Sequence, residues 1–320
     1  MPRVLASTFL FVLGFVGSAT AEGVTVSATT RMLSDPLSYL LVDQAEVVPL
    51  LGAGVDPHTY QPTRKDVRAL AQSDAVVYHG LLFEAQLLGL MEQLRGRKPV
   101  HAAEDFQTAE TLLFIEGYED PHTWHDPILW IDTVVDVAGA VSDDLELSLS
   151  QPRAQTLREA AVLTDAWIND AFARVPQNQR IVVSAHDAFS YYGQRYGIQL
   201  EPLLGLSTAS ETKLARVNEL VDLIATQDIS AVFSETSVES GGIAALREGA
   251  VQRGVELRAL PPLFSDALGP EGQPGSSYFG MLIANTINMV DATSGARPSL
   301  PPSLYNFLTA HGLLAKGSFQ

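Results

Sequence analysis

Cysteine is absent from the 320 residues of the chain. Its absence excludes a disulfide framework, a thiolate metal site and a cysteine nucleophile. Any metal ion that the chain binds must therefore be held by imidazole, carboxylate or carbonyl groups.

Basic residues are scarce, since 20 Lys and Arg stand against 37 Asp and Glu and leave a formal net charge of −17. Such a charge repels nucleic acid and anionic lipid, so we expect no nucleic-acid partner. Acidity also serves solubility alone, and it does not by itself indicate metal binding.

Long hydrophobic runs are missing except near the N-terminus. After Arg3, an apolar stretch covers residues 4–16 and leads to small residues at Ala19 and Ala21. This order is typical of a secretory signal peptide, residues 1–21, cleaved after Ala21. A membrane anchor is the alternative, but the run is shorter than the ~20 residues of a spanning helix. No cysteine follows the cleavage point, so we expect a periplasmic protein without a lipid anchor.

Strands alternate with helices along the rest of the chain, which favours an α/β fold with parallel sheets and right-handed crossovers. Alternating or buried apolar runs predict strands at Val24–Ala28, Ala45–Leu51, Ala75–Tyr78, Arg180–Ser184, Ile229–Phe233 and Val255–Leu260. We expect two α/β lobes, an N-terminal lobe at residues 22–150 and a C-terminal lobe at residues 177–320.

A single long helix is predicted between the lobes, at residues 151–176. Apolar side chains recur at helical spacing from Leu157 to Val175, and Pro152 stands near the start, where its missing N–H is harmless. At ~1.5 Å per residue the helix is on the order of 36 Å long, enough for a rigid strut between two lobes. An ordinary surface helix inside one continuous domain remains the alternative.

Three of the seven histidines stand in settings that favour a binding site. His58 and His122 each end an Asp-Pro-His tripeptide, and His186 directly follows a predicted strand. Proline restricts the loop before each of the first two imidazoles. The ends of parallel strands are where open α/β sheets bind ligands. These three side chains are therefore candidate ligand-binding residues.

These settings belong to longer motifs, and the chain resembles the zinc- and manganese-binding receptors of ABC importers, the ZnuA/TroA type of solute-binding protein. The matching segments are Asp56–Tyr60, Asp120–Trp124, His186–Gly197, Gly205–Glu211, Val232–Glu235 and Leu263–Gly269. The resemblance implies a single metal site in the cleft between two lobes. The ligands that it implies are His58, His122, His186 and Asp266.

The implied donor set favours Zn²⁺ as the bound ion, with Mn²⁺ or iron as the alternative. Imidazole nitrogens suit zinc, whereas manganese prefers oxygen-rich sites. Carboxylates must orient the imidazoles, and Glu211 and Glu235 are candidates because both fall in the matching motifs.

The chain also departs from the family pattern. Many zinc receptors carry a histidine-rich loop before the second ligand, but residues 102–120 contain no histidine. His125 lies three residues after His122 and is expected to be a non-ligand. We expect His79 to line the cleft, and His311 to be structural or exposed.

Two other functions are alternatives to a metal receptor: a secreted zinc hydrolase and a surface adhesin. A secreted zinc hydrolase needs an open coordination position, and neither a His-Glu-x-x-His nor a Gly-x-Ser-x-Gly motif is present. A surface adhesin is disfavoured by the expected lack of a lipid anchor. We therefore expect a monomeric, non-enzymatic receptor that delivers its ion to an ABC permease, with a periplasmic metallochaperone as a further candidate partner.

Overall fold

The computed structural model describes residues 23–319. The predicted signal peptide, residues 1–21, lies outside the described residues. No helix in the described part combines the length and apolar character needed to cross a membrane.

Four parallel strands form the sheet of the N-terminal half, in the order β2-β1-β3-β4. They are β1 (Val24–Ala28), β2 (Ala45–Pro49), β3 (Ala75–Tyr78) and β4 (Val100–Ala102). Every residue of β3 is buried, as expected for a strand with neighbours on both sides. The carboxyl ends of β2 and β3 lead into the loops that carry His58 and His79.

Helices cover this sheet, and side-chain caps begin three of them. They are α1 (Arg31–Leu40), α2 (Arg64–Gln72), α3 (Leu88–Arg95) and α4 (Pro127–Asp144). Thr30 caps α1, and Thr63 and Asp66 form a capping box on α2. Asp126 caps α4 by accepting hydrogen bonds from the first free N–H groups of the helix. A short antiparallel hairpin precedes α4, formed by β5 (Phe114–Ile115) and β6 (Tyr118–Glu119).

The long helix α5 spans Gln151–Ala173, three residues short of the predicted C-terminal end. Its 23 residues correspond to about 34 Å. It packs against α4 on one side and, in the C-terminal half, against α9 (Tyr278–Ser294). One continuous apolar core includes residues of both halves and of α5. The lobe boundaries at residues 150 and 177 stay a prediction.

The C-terminal half is also α/β, which confirms the predicted fold class. Its parallel strands are β7 (Ile181–Ser184) and β8 (Gln199–Pro202). The remaining helices are α6 (Ser190–Tyr196), α7 (Leu214–Thr226), α8 (Gly241–Gln252) and α10 (Pro302–Ala310). A second apolar core lies between β7, α7 and α8.

Two predicted strands of this half are wrong as continuous strands. The segment Ile229–Phe233 contributes one isolated parallel bridge, between Val232 and Val183 of β7, and Val255–Leu260 contributes neither a strand nor a bridge. A second isolated parallel bridge, between Glu235 and Leu263, lies outside both segments. Pro261 and Pro262 follow the second segment and lack the N–H groups that a ladder needs. The chain therefore reaches Leu263 without a regular strand.

Candidate metal centre

His58 is held by the turn that its own tripeptide forms. The carboxylate of Asp56 accepts a hydrogen bond from the backbone N–H of His58 at 2.9 Å. The second oxygen of Asp56 accepts hydrogen bonds from the hydroxyls of Thr59 and Thr208, both at 2.7 Å. Since Thr208 belongs to the C-terminal half, this aspartate ties the loop of His58 to the opposite side of the cleft.

His122 lies in the same kind of Asp-Pro-His turn as His58, and here the aspartate also contacts the imidazole ring. Oδ1 of Asp120 accepts a hydrogen bond from the backbone N–H of His122 at 2.9 Å and lies 2.6 Å from Nδ1 of its ring. The carboxylate thereby orients the imidazole so that Nε2 lies 3.6 Å from Oδ1 of Asp266. Asp120 is an orienting residue that the sequence prediction missed, although the repeated Asp-Pro-His tripeptide was the signal for it.

His186 is held by Glu235 at the end of β7. Oε2 of Glu235 lies 2.5 Å from Nδ1 of the ring, and Oε1 accepts the backbone N–H groups of Ala185 and His186 at 2.8 and 3.0 Å. The predicted orienting role of Glu235 therefore agrees with the geometry. Glu211, the other candidate, is exposed to solvent. It does not share the buried position of Glu235, so the expectation for Glu211 is wrong.

Asp266 follows a backbone segment that both halves hold in place. The indole N–H of Trp124 donates a hydrogen bond to the carbonyl of Ser265 at 2.9 Å. The hydroxyl of Ser265 lies 3.0 Å from that of Ser237. The first bond ties the residue before Asp266 to the segment that follows His122, and the second ties it to the segment that follows Glu235.

The four predicted ligands converge on one point. Each of His58, His122, His186 and Asp266 offers an atom within 4.8 Å of the others, and all four are buried. Nε2 of His58 lies 3.4 Å from Nε2 of His122, and Nε2 of His186 lies 3.1 Å from Oδ2 of Asp266. Ligands about 2 Å from a tetrahedral ion are about 3.3 Å apart. The spacing therefore suits one shared cation.

Three of these ligand atoms have no hydrogen-bond partner within residues 23–319. They are Nε2 of His186 and both carboxylate oxygens of Asp266. A buried carboxylate that accepts no hydrogen bond is stable only where nearby positive charge compensates for its lost hydration. A cation at the centre of the four side chains would supply the missing interaction.

The charges of the cluster also suit a cation. Burial alone would raise the pKa of Asp266, but the neighbouring His186, followed by His58 and His122, outweighs burial and lowers this pKa below its usual range. Burial lowers the pKa of His58 to about 3, against the attraction of Asp266. Burial acts in the same direction on His186, but there Asp266 and Glu235 outweigh it and raise the pKa well above 6.5.

The other histidines of interest lie outside this group of four. His125 is buried and packs against Phe189 with ring centroids 4.5 Å apart, and burial lowers its pKa to about 3. His79 stacks on Trp130 and lies 2.7 Å from the hydroxyl of Thr30. Two more lie further away: His101 is paired with Asp144, and His311 is exposed beside Phe307.

Comparisons with known proteins agree with this architecture. The family model described as ZnuA, zinc-uptake complex component A periplasmic, matches residues 26–292. The manganese-binding lipoprotein MntA of Bacillus subtilis (strain 168) is 33% identical over 292 residues, which cover 89% of this chain and 95% of that protein. The zinc-binding protein TroA of Treponema pallidum (strain Nichols) is 32% identical over 278 residues, which cover 86% of this chain and 90% of that protein.

The fold is shared as well. The solved structure of the periplasmic zinc binding protein TroA from Treponema pallidum superposes with a TM-score of 0.80 at 31% identity, covering 85% of this chain and 99% of that one. The family match extends over more than half of the chain and includes the segments that carry all four clustered side chains. The chain therefore belongs to the ZnuA family of metal-binding receptors of ABC importers.

Proposed function

We propose that this protein captures one zinc ion between His58, His122, His186 and Asp266 and delivers it to the permease of an ABC importer. The observation that carries the proposal is the convergence of four buried side chains whose ligand atoms lie within 4.8 Å of one another. The two oxygens of Asp266 support it further, because neither accepts a hydrogen bond within residues 23–319.

The donor set supports zinc as the ion. Three imidazole nitrogens and one carboxylate are ordinary zinc ligands, and zinc lies above manganese in the affinity order for such sites. The manganese-binding relative is about as similar to this chain as the zinc-binding one. The alternative is therefore a receptor of the same architecture for manganese or iron. Competition between these ions for the purified protein distinguishes it from a zinc receptor.

The arrangement favours cargo binding over hydrolysis. A hydrolytic zinc site keeps one position open for water. Here four protein ligands from both halves would complete a tetrahedral sphere, and a closed sphere suits capture and release. Metal-bound water in place of Asp266 would reopen the hydrolase alternative.

The proposal also covers the cellular location of the protein and its division into two lobes. We propose that residues 1–21 are removed on secretion and that the mature, lipid-free protein acts as a periplasmic monomer. Residues 22–150 and 177–320 are proposed as the two lobes, and residues 151–176 as the helix that joins them. Fractionation of cells into periplasm and membrane tests the first of these statements, since a lipid-anchored protein would sediment with the membrane.

Metal competition on the purified protein tests the proposal directly. Zinc is expected to raise the melting temperature, because an ion that binds only the folded state stabilises it by roughly 4 kcal/mol at a thousandfold excess over Kd. The variant Asp266→Asn is expected to lose most of this stabilisation, whereas His311→Ala, at an exposed position, keeps it. A melting curve that zinc, manganese and iron all leave unmoved would disprove the proposal.

A further inference from the structure

The hairpin β5–β6 is held in a fixed register by its turn. Glu116 and Gly117 form this two-residue turn with φ angles of 52° and 89°, the left-handed conformation that such a turn requires at both positions. Beyond the paired residues of the two strands, the same register brings Leu113 opposite Asp120. In an antiparallel ladder every second pair exchanges two backbone hydrogen bonds. Counted from the turn, Leu113 and Asp120 are such a pair, so two bonds are expected between them.

A tyrosine hydroxyl takes the place of one of these two bonds. The N–H of Asp120 donates to the carbonyl of Leu113 at 2.8 Å, as a ladder requires. The N–H of Leu113 donates instead to the hydroxyl of Tyr191 at 3.0 Å, and this hydroxyl donates to the carbonyl of Asp120 at 2.9 Å. The base of the hairpin is thus completed by a side chain that lies 71 residues beyond Asp120 in the chain.

Tyr191 belongs to the C-terminal half and follows a proposed ligand closely in sequence. It lies on α6, directly after the segment that carries His186. The side chain is buried, and burial raises the pKa of Tyr191 far above 10, so the hydroxyl keeps its proton and can donate it to a carbonyl. The contact with Asp120 therefore joins the segment of one ligand, His186, to the hairpin that leads to another, His122.

Asp120 transmits this contact to the metal site. Its carboxylate accepts the backbone N–H of His122 and lies 2.6 Å from Nδ1 of the ring. Its backbone is held on both sides, the N–H by Leu113 and the carbonyl by Tyr191. Without the hydroxyl, the N–H of Leu113 and the carbonyl of Asp120 would lose their partners, and the hairpin would regain a bond only by closing directly. That closure would shift Asp120 and, with it, the ring of His122.

The neighbouring Tyr192 has a hydroxyl contact of a different kind. Its hydroxyl lies 2.7 Å from that of Thr286 on α9, so this contact stays within the C-terminal half. The side chain is fully buried and packs against Tyr196 of the same helix with ring centroids 4.6 Å apart. Tyr192 therefore supports the fold of one half, whereas Tyr191 reaches the other half at the residue that orients a ligand.

We infer that Tyr191 is a positioning residue of the metal site, whose hydroxyl sets the position of His122 relative to His186 by completing the base of the hairpin. This inference rests on the proposed function, because it requires both histidines to bind the same ion. The hydroxyl forms its hydrogen bonds with backbone groups and not with a ligand side chain. It therefore acts on the ion through Asp120.

Removal of the hydroxyl alone tests the inference. Tyr191→Phe is expected to weaken zinc binding about tenfold, the lower end of the loss that follows removal of a group orienting a histidine ligand. Tyr192→Phe removes a buried hydroxyl from the same helix and is expected to keep the zinc affinity of the wild type. Competition titration against a chelator measures both affinities. Unchanged affinity in Tyr191→Phe, or an equal loss in the two variants, would overturn the inference.

Cobalt(II) in place of zinc gives a readout that a loss of stability alone would not change. The visible absorption of this ion depends on the directions from which its ligands approach. At saturating cobalt, Tyr191→Phe is expected to show altered absorption bands because the ring of His122 has moved. Tyr192→Phe is expected to keep the wild-type spectrum even where its melting temperature falls as far. A wild-type spectrum from saturated Tyr191→Phe would show that the hydroxyl serves folding only and would overturn the inference.

A double-mutant cycle tests whether Tyr191 acts through Asp120. Asp120→Asn removes the charge that orients His122, so adding Tyr191→Phe to it is expected to lower zinc affinity much less than the same change lowers it in the wild type. Additive losses would contradict this route. The wild-type protein is titrated in the same series. Absent zinc binding there would count against the proposed function, whereas zinc binding that the wild type and both tyrosine variants share would count only against the inference.

Discussion

The carboxylate of Glu235 holds both the backbone and the ring of His186. One oxygen accepts the N–H groups of Ala185 and His186, and the other lies 2.5 Å from Nδ1 of the imidazole. With Nδ1 engaged in this way, Nε2 is left to face Asp266 at 3.1 Å. The ring is thus oriented before any ion arrives.

Replacing Glu235 by Gln is expected to weaken zinc binding about 10- to 100-fold, the usual cost of losing a carboxylate that orients a histidine ligand. Competition titration against a chelator measures the effect. Glu211→Gln is the matched control at an exposed position and is expected to bind zinc as the wild type does. An equal loss in both variants would contradict the orienting role.

Zinc binding is expected to release about one proton near pH 7, because the raised pKa of His186 keeps its ring protonated in the ion-free protein. His58, with a pKa of about 3, is already neutral there. Below the pKa of His186, affinity is therefore expected to fall about tenfold for each unit by which the pH is lowered. Calorimetry in buffers of different ionisation enthalpy counts the protons. A binding heat independent of the buffer would refute the expectation.

His186→Ala is expected to lower zinc affinity far more than His125→Ala. The Nε2 atom of His186 belongs to the cluster of four, whereas His125 packs against Phe189 outside it. Loss of His125 should mainly lower the melting temperature, since it leaves a cavity in a buried aromatic cluster. Parallel titrations and melting curves separate the two effects. The reverse order of affinities would show that the ligand set is wrong.

Arg195 is expected to slow the release of zinc by tying the halves together. Its guanidinium lies 3.0 Å from Asp126, near His122, and 2.5 Å from Asp165 on α5, while its own helix follows His186. Arg195→Met should accelerate chelator-driven dissociation about fivefold, the equivalent of the ~1 kcal/mol that a partly exposed ion pair contributes.

The control for this prediction is Arg158→Met. Arg158 pairs with Asp132 at 2.7 Å, so this ion pair joins α5 to α4 of the N-terminal half. Its replacement should leave the dissociation rate unchanged. Stopped-flow fluorescence of a zinc-binding dye measures both rates, and equal rates in the two variants would rule out the role of Arg195.

Glu84 is expected to make the ion-free protein less stable as the pH rises. Burial raises its pKa from 4.5 to about 7, so the folded state holds a proton that the unfolded state releases. The stability that protonated Glu84 provides is complete below pH 4.5 and is lost as the pH rises through about 7. Relative to Glu84→Gln, the free energy of unfolding of the wild type should fall by roughly 3 kcal/mol between these limits.

Urea unfolding at several pH values, with a chelator present, measures this difference. Gln is the matched replacement because its carbonyl can still accept the hydrogen bonds from Thr29 and from the backbone of His79. A constant difference between the two proteins from pH 4.5 to pH 8 would show that Glu84 does not titrate in this range.

The long helix α5 and the strands β1, β2 and β3 could be predicted because they depend on short-range patterns, whereas the three-residue strand β4 was not predicted. Apolar spacing located α5 to within three residues, alternation of side chains located β1, and a buried run located β3. The segments Ile229–Phe233 and Val255–Leu260 were less predictable, because a ladder forms only if the neighbouring backbone supplies partners in register. The pattern of side chains along one segment does not report whether such partners are present.

The sequence alone determined which donors were available, namely imidazoles and carboxylates without thiolates, and the family motifs indicated which of them form the cluster. Only the tertiary structure decided that Asp120 orients His122, that Glu211 is exposed while Glu235 is buried, and that His125 turns towards Phe189. The reason is physical: spacing along the chain controls contacts within a few residues, whereas His58 and Asp266 meet only because the packing of both halves around α5 brings them together.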